Sequence, residues 1–129
     1  MIDRSVAIDE LERWFEANDI DTDTEGMDEN DRSDIARQRT LLVRAIEQQR
    51  LVIDEEGRAI FTPKSGVDIT FHECTGAVFI AMDKKKKSSD FGKMFAAMGE
   101  ITRTSPLTFS KMQNSDLKVC FALMTYFLG

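Results

Sequence analysis

The strongest constraint on this chain is the helical spacing of large apolar residues between Asp90 and Gly129. Two stripes recur there at intervals of three and four residues: Phe91, Met94, Phe95, Met98 and Ile101, and then Leu117, Cys120, Phe121, Met124 and Phe127. Such spacing places the apolar groups on one side of each helix. The segment therefore predicts helices that pack as an αα-type unit. Because it carries almost no reactive side chains, we expect a protein that works by contact.

The composition fits a single domain over residues 1–129. With 129 residues and 42% apolar side chains, the chain can bury a core of its own. No run of about 18 uninterrupted apolar residues is present, so we expect no membrane span. The first residues lack the basic and apolar regions of a signal peptide. Cys74 and Cys120 lie far apart in apolar surroundings, which favours two buried free thiols and a cytoplasmic protein.

The net charge of −6 is distributed unevenly along the chain. Residues 1–34 contain thirteen Asp or Glu against three Arg, whereas residues 35–129 contain fourteen Lys or Arg against ten Asp or Glu. Two interpretations stay open. The acidic segment and the basic body attract each other, within one copy or between copies, in a salt-sensitive way. Alternatively, the acidic segment is a solvated linker beside an ordinary domain.

The predicted fold class is α+β, mainly helical, with a short antiparallel β-meander between an N-terminal helix pair and a C-terminal helical unit. The helix pair covers about residues 7–18 and 33–49. Residues 19–34 between them are too acidic to pack, and we expect a mobile loop. The meander covers about residues 51–72. Its strands are predicted at 51–53, 59–61 and 67–72, with Gly57 in the hairpin turn.

Residues that favour helix ends divide the C-terminal half. Thr75 is expected to cap a helix over residues 76–83, and Ser89 or Asp90 to cap the next one. Lys84–Lys87 between them indicates a solvated linker rather than a phosphate-binding run, because its flanks are acidic and no aromatic residues are interleaved. Three apolar side chains of the first helix are expected to turn partly inward: Phe79, Ile80 and Met82.

The last two helical segments also have recognisable starts. Pro106 at a first helical position predicts a turn or two of helix. Its apolar side chains are expected to face inward: Leu107, Phe109 and Met112. Ser115 is expected to cap the final helix, with Asp116 in its first turn.

No constellation of polar residues predicts catalysis, a cofactor or a metal site. His72, Glu73 and Cys74 are adjacent, but neighbours in a strand alternate faces, so they converge on no ion and form no Cys–His pair. The acidic run partly resembles a calcium-binding loop, yet its glycine and terminal Glu are misplaced. The glycines stand singly, which excludes a Gly-rich phosphate loop. We expect a protein that is not an enzyme and that binds neither nucleic acid nor membranes.

Residues 69–129 resemble the tail assembly chaperones of long-tailed bacteriophages in the order of their short motifs. The matching positions are Thr75-Gly76, Met82-Asp83, Glu100-Ile101-Thr102, Phe109 with Met112, Ser115-Asp116-Leu117 and Phe127-Leu128. The chain departs from the family pattern at Cys74, where Pro is common, and at Arg103, where Gly is common. The acidic first 34 residues have no counterpart, so the resemblance covers about half of the chain.

The resemblance implies a small chaperone in the bacterial host cytoplasm that binds the tape measure protein and keeps it soluble during tail assembly. Tail tube protein later replaces such chaperones on this client. Members often self-associate, so we expect a homo-oligomer, and many are also made as a longer frameshifted form. The candidate partner-binding residues are the exposed members of the apolar stripes, drawn from Phe91, Phe95, Met98, Phe121, Met124 and Phe127.

Two other functions stay open on the sequence. The acidic N-terminal segment fits a regulatory or decoy protein that occupies a basic surface of a host protein. A small hydrolase or metal-dependent enzyme would require converging polar groups, which the sequence does not supply. A bound transition metal or a polar pocket around His72 would revive this alternative.

Overall fold

A computed structural model describes residues 1–85 and 89–129 and has the predicted α+β, mainly helical architecture. A helix pair comes first, followed by three short strands and a series of further helices. Their bounds are α1 Arg4–Ala17, α2 Glu29–Glu47, β1 Leu51–Ile53, β2 Ala59–Phe61, β3 Ile69–Phe71, α3 Gly76–Asp83, α4 Asp90–Thr102, α5 Leu107–Ser110 and α6 Asn114–Leu128. Within the described ranges, no helix combines the length and the apolar character needed to cross a membrane.

The strands form the predicted antiparallel meander in the order β1-β2-β3. Leu51 lies opposite Phe61, and Phe61 in turn lies opposite Ile69. In every strand the first and third side chains are buried and the middle one is not. One face of the sheet therefore faces the core. The third strand is shorter than predicted, since Val67 is still exposed and pairing begins only at Ile69.

The hairpin turn between β1 and β2 requires its glycine for two reasons. Gly57 has a φ of +82°, which disfavours residues with a side chain. A Cβ at this position would also lie 2.3 Å from the Cβ of Ala17 at the end of α1. Asp54 closes the turn, because one of its carboxylate oxygens accepts hydrogen bonds from the N–H groups of Glu56 and Arg58 at 2.9 Å. The sequence prediction for Gly57 is confirmed.

Helix α2 begins inside the acidic run, so the prediction of a loop over 19–34 is wrong for residues 29–34. Asp28 caps this helix by accepting a hydrogen bond from the N–H of Asp31 at 2.8 Å. Glu29 and Asp31 place negative charge in its first turn, which favours the positive end of the helix. The acidic residues thus stabilise a helix start. Helix α1 also begins earlier than predicted, at Arg4.

The predicted caps of the C-terminal half are partly confirmed. The hydroxyls of Thr75 and Ser89 accept backbone hydrogen bonds from N–H groups two and three residues later, at 3.3 and 3.2 Å. The cap predicted at Ser115 is wrong, because α6 begins at Asn114 and the flanking Gln113 makes no side-chain cap bond. In the predicted linker Lys84–Lys87, the first two lysines are exposed, and residues 86 and 87 lie outside the described residues.

The side chains predicted to turn inward divide into two groups. Met82, Phe109 and Met112 contact the core, whereas Phe79, Ile80 and Leu107 are 54%, 60% and 63% exposed. Helix α3 is short and packs mainly against α4, so its Val78 side is covered and the other side is not. Helix α5 is a single turn that has room to bury only Phe109.

The core lies between α1, α2, α6 and the inner face of the sheet. Trp14 of α1 is fully buried at its centre. Its ring centroid lies 5.1 Å from that of Phe127 and 6.3 Å from that of Tyr126, both in edge-to-face arrangements. Such aromatic pairs add to the hydrophobic stabilisation of burial. The N-terminal helix is thereby held against the C-terminal one.

A buried ion pair joins α6 to the start of the sheet. Asp116 is 2% exposed and accepts hydrogen bonds from the Arg50 guanidinium and, at 3.1 Å, from the N–H of Lys64. Arg50 also lies over the ring of Phe61, 5.4 Å from its centroid. A buried carboxylate requires such partners, since an unpaired buried charge costs several kcal/mol.

We expect Asp116→Ala to lower the free energy of unfolding by about 2–4 kcal/mol, because it leaves Arg50 and the Lys64 N–H without their acceptor. Urea denaturation measures this loss. The matched control is Asp34→Ala, which breaks an exposed ion pair with Arg37 and should change stability by no more than about 0.5 kcal/mol. Equal effects of the two substitutions would contradict the assigned role of Asp116.

Candidate functional site

Three phenylalanines form an aromatic row between α4 and α6. The ring centroids of Phe91 and Phe121 lie 6.1 Å apart, and those of Phe95 and Phe121 lie 6.3 Å apart with nearly parallel planes. Phe91 is 64% exposed, whereas Phe95 and Phe121 are partly buried and pack against the core. The aromatic row therefore leads from solvent into the body of the protein.

The start of α4 positions the exposed end of this row. Ser89 caps the helix through the N–H of Gly92, which fixes Phe91 in the first turn. Phe95 follows four residues later, so both rings project from the same side of α4. Phe121 of α6 meets them from the facing helix.

A groove of about 750 Å³ adjoins the aromatic row and runs between α2 and α6. Its lining residues are Ser33, Ala36, Arg37, Gln38, Thr40, Leu41, Arg44, Lys118 and Phe121. Phe121 belongs to both the row and this α2/α6 groove, so the two surfaces are continuous. Leu41 and Phe121 are partly buried and supply its apolar floor.

The six predicted partner-binding residues lie in three different environments. Phe91, Phe95 and Phe121 come together in the aromatic row. Met98 and Met124 are fully buried core residues, so the prediction that they contact a partner is corrected. Phe127 is partly buried against Trp14, away from the row.

Helical spacing explains why the sequence did not separate these groups. Periodicity gives the side of a helix on which a residue lies, but it does not give its depth. Met98 and Met124 lie where α4 and α6 pack against the rest of the protein, whereas Phe91 lies at the free end of α4. The α2 side of the groove was missed. The spacing of Arg37, Leu41 and Arg44 places them on one side of α2, but it does not indicate that α6 lies beside that side.

A second, polar cleft of about 840 Å³ surrounds His72. All three residues of the His72–Cys74 segment line it, together with Arg58 and Arg103 among other residues. Glu73 is exposed, whereas His72 and Cys74 are partly buried. Because β3 ends at Phe71, the strand alternation on which the sequence prediction relied does not extend to these three residues.

In the polar cleft, the pKa shifts of His72 and Cys74 run opposite to those of an activated thiol–imidazole pair. Burial and, secondly, the charges of Arg103 and Arg58 lower the pKa of His72, while burial raises the pKa of the Cys74 thiol. A reactive thiol requires the opposite change, a lowered pKa beside a cation or a base. Within residues 1–85 and 89–129, no three His, Cys, Asp or Glu side chains come together as metal ligands.

Both cysteines are free thiols, but they differ in environment. Cys120 is fully buried, and burial together with the nearby Asp116 raises its pKa to about 12. Cys74 is only partly buried, so the prediction of two buried thiols is correct for Cys120 alone.

We expect an aromatic disulfide reagent at neutral pH to modify one thiol in the native protein and both in denaturant, because Cys120 lacks both access and thiolate character. The released chromophore gives the count. Cys74→Ser should abolish the native reaction, whereas the matched Cys120→Ser should preserve it. Reaction of both native thiols at equal rates would contradict the burial of Cys120.

Comparison of this chain with models of protein families, with curated proteins and with solved structures found no match.

Proposed function

We propose that this protein binds an apolar α-helical segment of another protein, and that its client is the tape measure protein of a long-tailed bacteriophage. It would act as a tail assembly chaperone in the cytoplasm of the bacterial host. The observation that carries the proposal is the continuity of the exposed Phe91 with the aromatic row and the α2/α6 groove. The motif resemblance of residues 69–129 names the client.

The energetics of the aromatic row suit a temporary contact. Removing a phenylalanine side chain from water contributes roughly 1.5–3 kcal/mol, and Phe91 has most of its surface still to bury. A few contacts of this size bind weakly at one site but strongly when several copies line one long client. Such binding keeps a client soluble and still permits displacement by tail tube protein. Self-association of the chaperone belongs to the same proposal.

The groove geometry favours a helix as the bound element. An amphipathic helix binds by laying its apolar side into a groove, with anchors three and four residues apart. The walls of this groove are themselves helices, whose backbone groups are already paired internally. They offer no free strand edge to an extended peptide.

Co-expression with fragments of a long, coiled-coil-rich tape measure protein tests the proposal. We expect the wild-type chain to raise the soluble fraction of at least one fragment severalfold and to copurify with it. Phe91→Ser should remove most of this effect, because it deletes the exposed end of the aromatic row.

The control for this experiment is Val67→Ser. Val67 is 70% exposed and lies before β3, away from the aromatic row, so its replacement removes a similar exposed apolar group and should preserve solubilisation. Equal solubilisation by the Phe91→Ser and wild-type proteins would overturn the proposal. So would the lack of any fragment that depends on this chain for solubility.

A further inference from the structure

The α2/α6 groove has a charge opposite to that of the whole chain. Three of its nine lining residues are cationic, namely Arg37, Arg44 and Lys118, and none is acidic. The chain as a whole has a net charge of −6. A local basic surface on an acidic protein attracts acidic partners selectively.

Two of the three cations are available for a partner. Arg44 and Lys118 are exposed, and neither forms an ion pair with a carboxylate in the described part of the chain. Arg37 pairs with Asp34 one turn earlier on α2, and this pair is exposed to solvent. An exposed pair of this kind contributes little and exchanges readily.

The groove has the length of a short helix. Its α2 side extends from Ser33 to Arg44, which corresponds to roughly 16 Å or three helical turns. Small side chains at Ser33, Ala36 and Thr40 permit close approach of a second helix along this side. The cations on α2 and α6 border the floor formed by Leu41 and Phe121.

We infer that the α2/α6 groove selects client helices in which an apolar stripe is flanked by Asp or Glu. This inference rests on the proposed function and deepens it, since it states which helices of the client are bound. Apolar side chains of the client would contact Leu41 and Phe121, and its carboxylates would meet Arg44 and Lys118. The binding would weaken with salt, because exposed charge pairs are screened.

Residues 20–24 of the acidic segment are engaged elsewhere in the same chain. Ile20 donates a backbone hydrogen bond to the carbonyl of Phe15 at 2.9 Å, and residues 21–24 face the end of α6 near Tyr126. These residues therefore leave the groove of their own molecule open, whereas Asp34 at the end of the segment pairs with the groove residue Arg37. The acidic segment of a second copy is the ligand that competes with a client helix for this groove. The experiment must therefore detect it.

Binding of designed peptides to the full chain tests the inference. The probes are fluorescent amphipathic helices of about 15 residues with the same leucine stripe, flanked by Glu in one peptide and by Gln in the other. We expect the Glu peptide to bind about tenfold more tightly than the Gln peptide at low salt, and this ratio to fall towards one at high salt.

Charge reversal in the groove provides the decisive variant. Arg44→Glu with Lys118→Glu should abolish or reverse the preference for the Glu peptide. The matched control reverses two exposed lysines outside the groove, Lys84→Glu with Lys111→Glu, and should preserve the preference. Circular dichroism verifies that both variants are folded.

The outcomes separate this inference from the proposed function. If both peptides bind equally and Phe91→Ser abolishes their binding, the charge selection is overturned while helix binding stands. If neither peptide binds, both proposals are overturned for this groove. If the groove variant dissociates a homo-oligomer in the absence of peptide, a second copy occupies the groove and the client assignment is overturned.

Discussion

The ion pair between Arg50 and Asp116 ties the start of α6 to the start of the sheet. A single buried carboxylate at the start of α6 holds the residue that precedes β1 and the loop that follows β2. Burial of such a group is tolerated only when its partners are in place, so α6 has one favourable position. Because α6 forms one wall of the α2/α6 groove, the shape of the candidate binding surface depends on this pair. This ion pair therefore influences the shape of the groove although it is not part of the binding surface.

Local signals in the sequence predicted much of the fold. The alternation of the short strands, the glycine turn and the hydroxyl caps each depend on residues close in the chain, and these elements were placed within a few residues. The start of α2 was missed because Asp28 lies within a run of similar acidic residues. The burial of Asp116 could not be predicted, since its partner Arg50 is distant in sequence and the carboxylate alone indicated only a helix start.

The candidate site was predicted less completely than the fold. Phe91, Phe95 and Phe121 were named from their spacing, and the structure brings them together. The same spacing also named Met98 and Met124, which the packing of α4 and α6 buries. The contribution of α2 to the groove depends on how α2 packs against α6, a tertiary relation that spacing within one helix does not contain. The polar cleft was missed for a related reason, since it assembles residues from separate loops and from the helices α1, α3 and α6.

The two concave surfaces of the protein differ in chemistry, and this difference underlies the proposed function. The cleft around His72 is lined by charged groups and by a thiol whose pKa burial raises. The groove beside Phe91 combines an apolar floor with a basic border and lies next to an aromatic ring that solvent still reaches. The groove is the surface at which binding of a partner is stabilised by contact alone, through its apolar floor and its basic border.

The most direct test of this account is a chemical-shift map of the isotopically labelled protein titrated with a solubilised client fragment. We expect the perturbed resonances to cluster at residues 33–44 of α2, at Lys118 and Phe121 of α6, and at Phe91. Perturbations centred instead on the cleft around His72, or confined to the acidic residues 19–28, would contradict it.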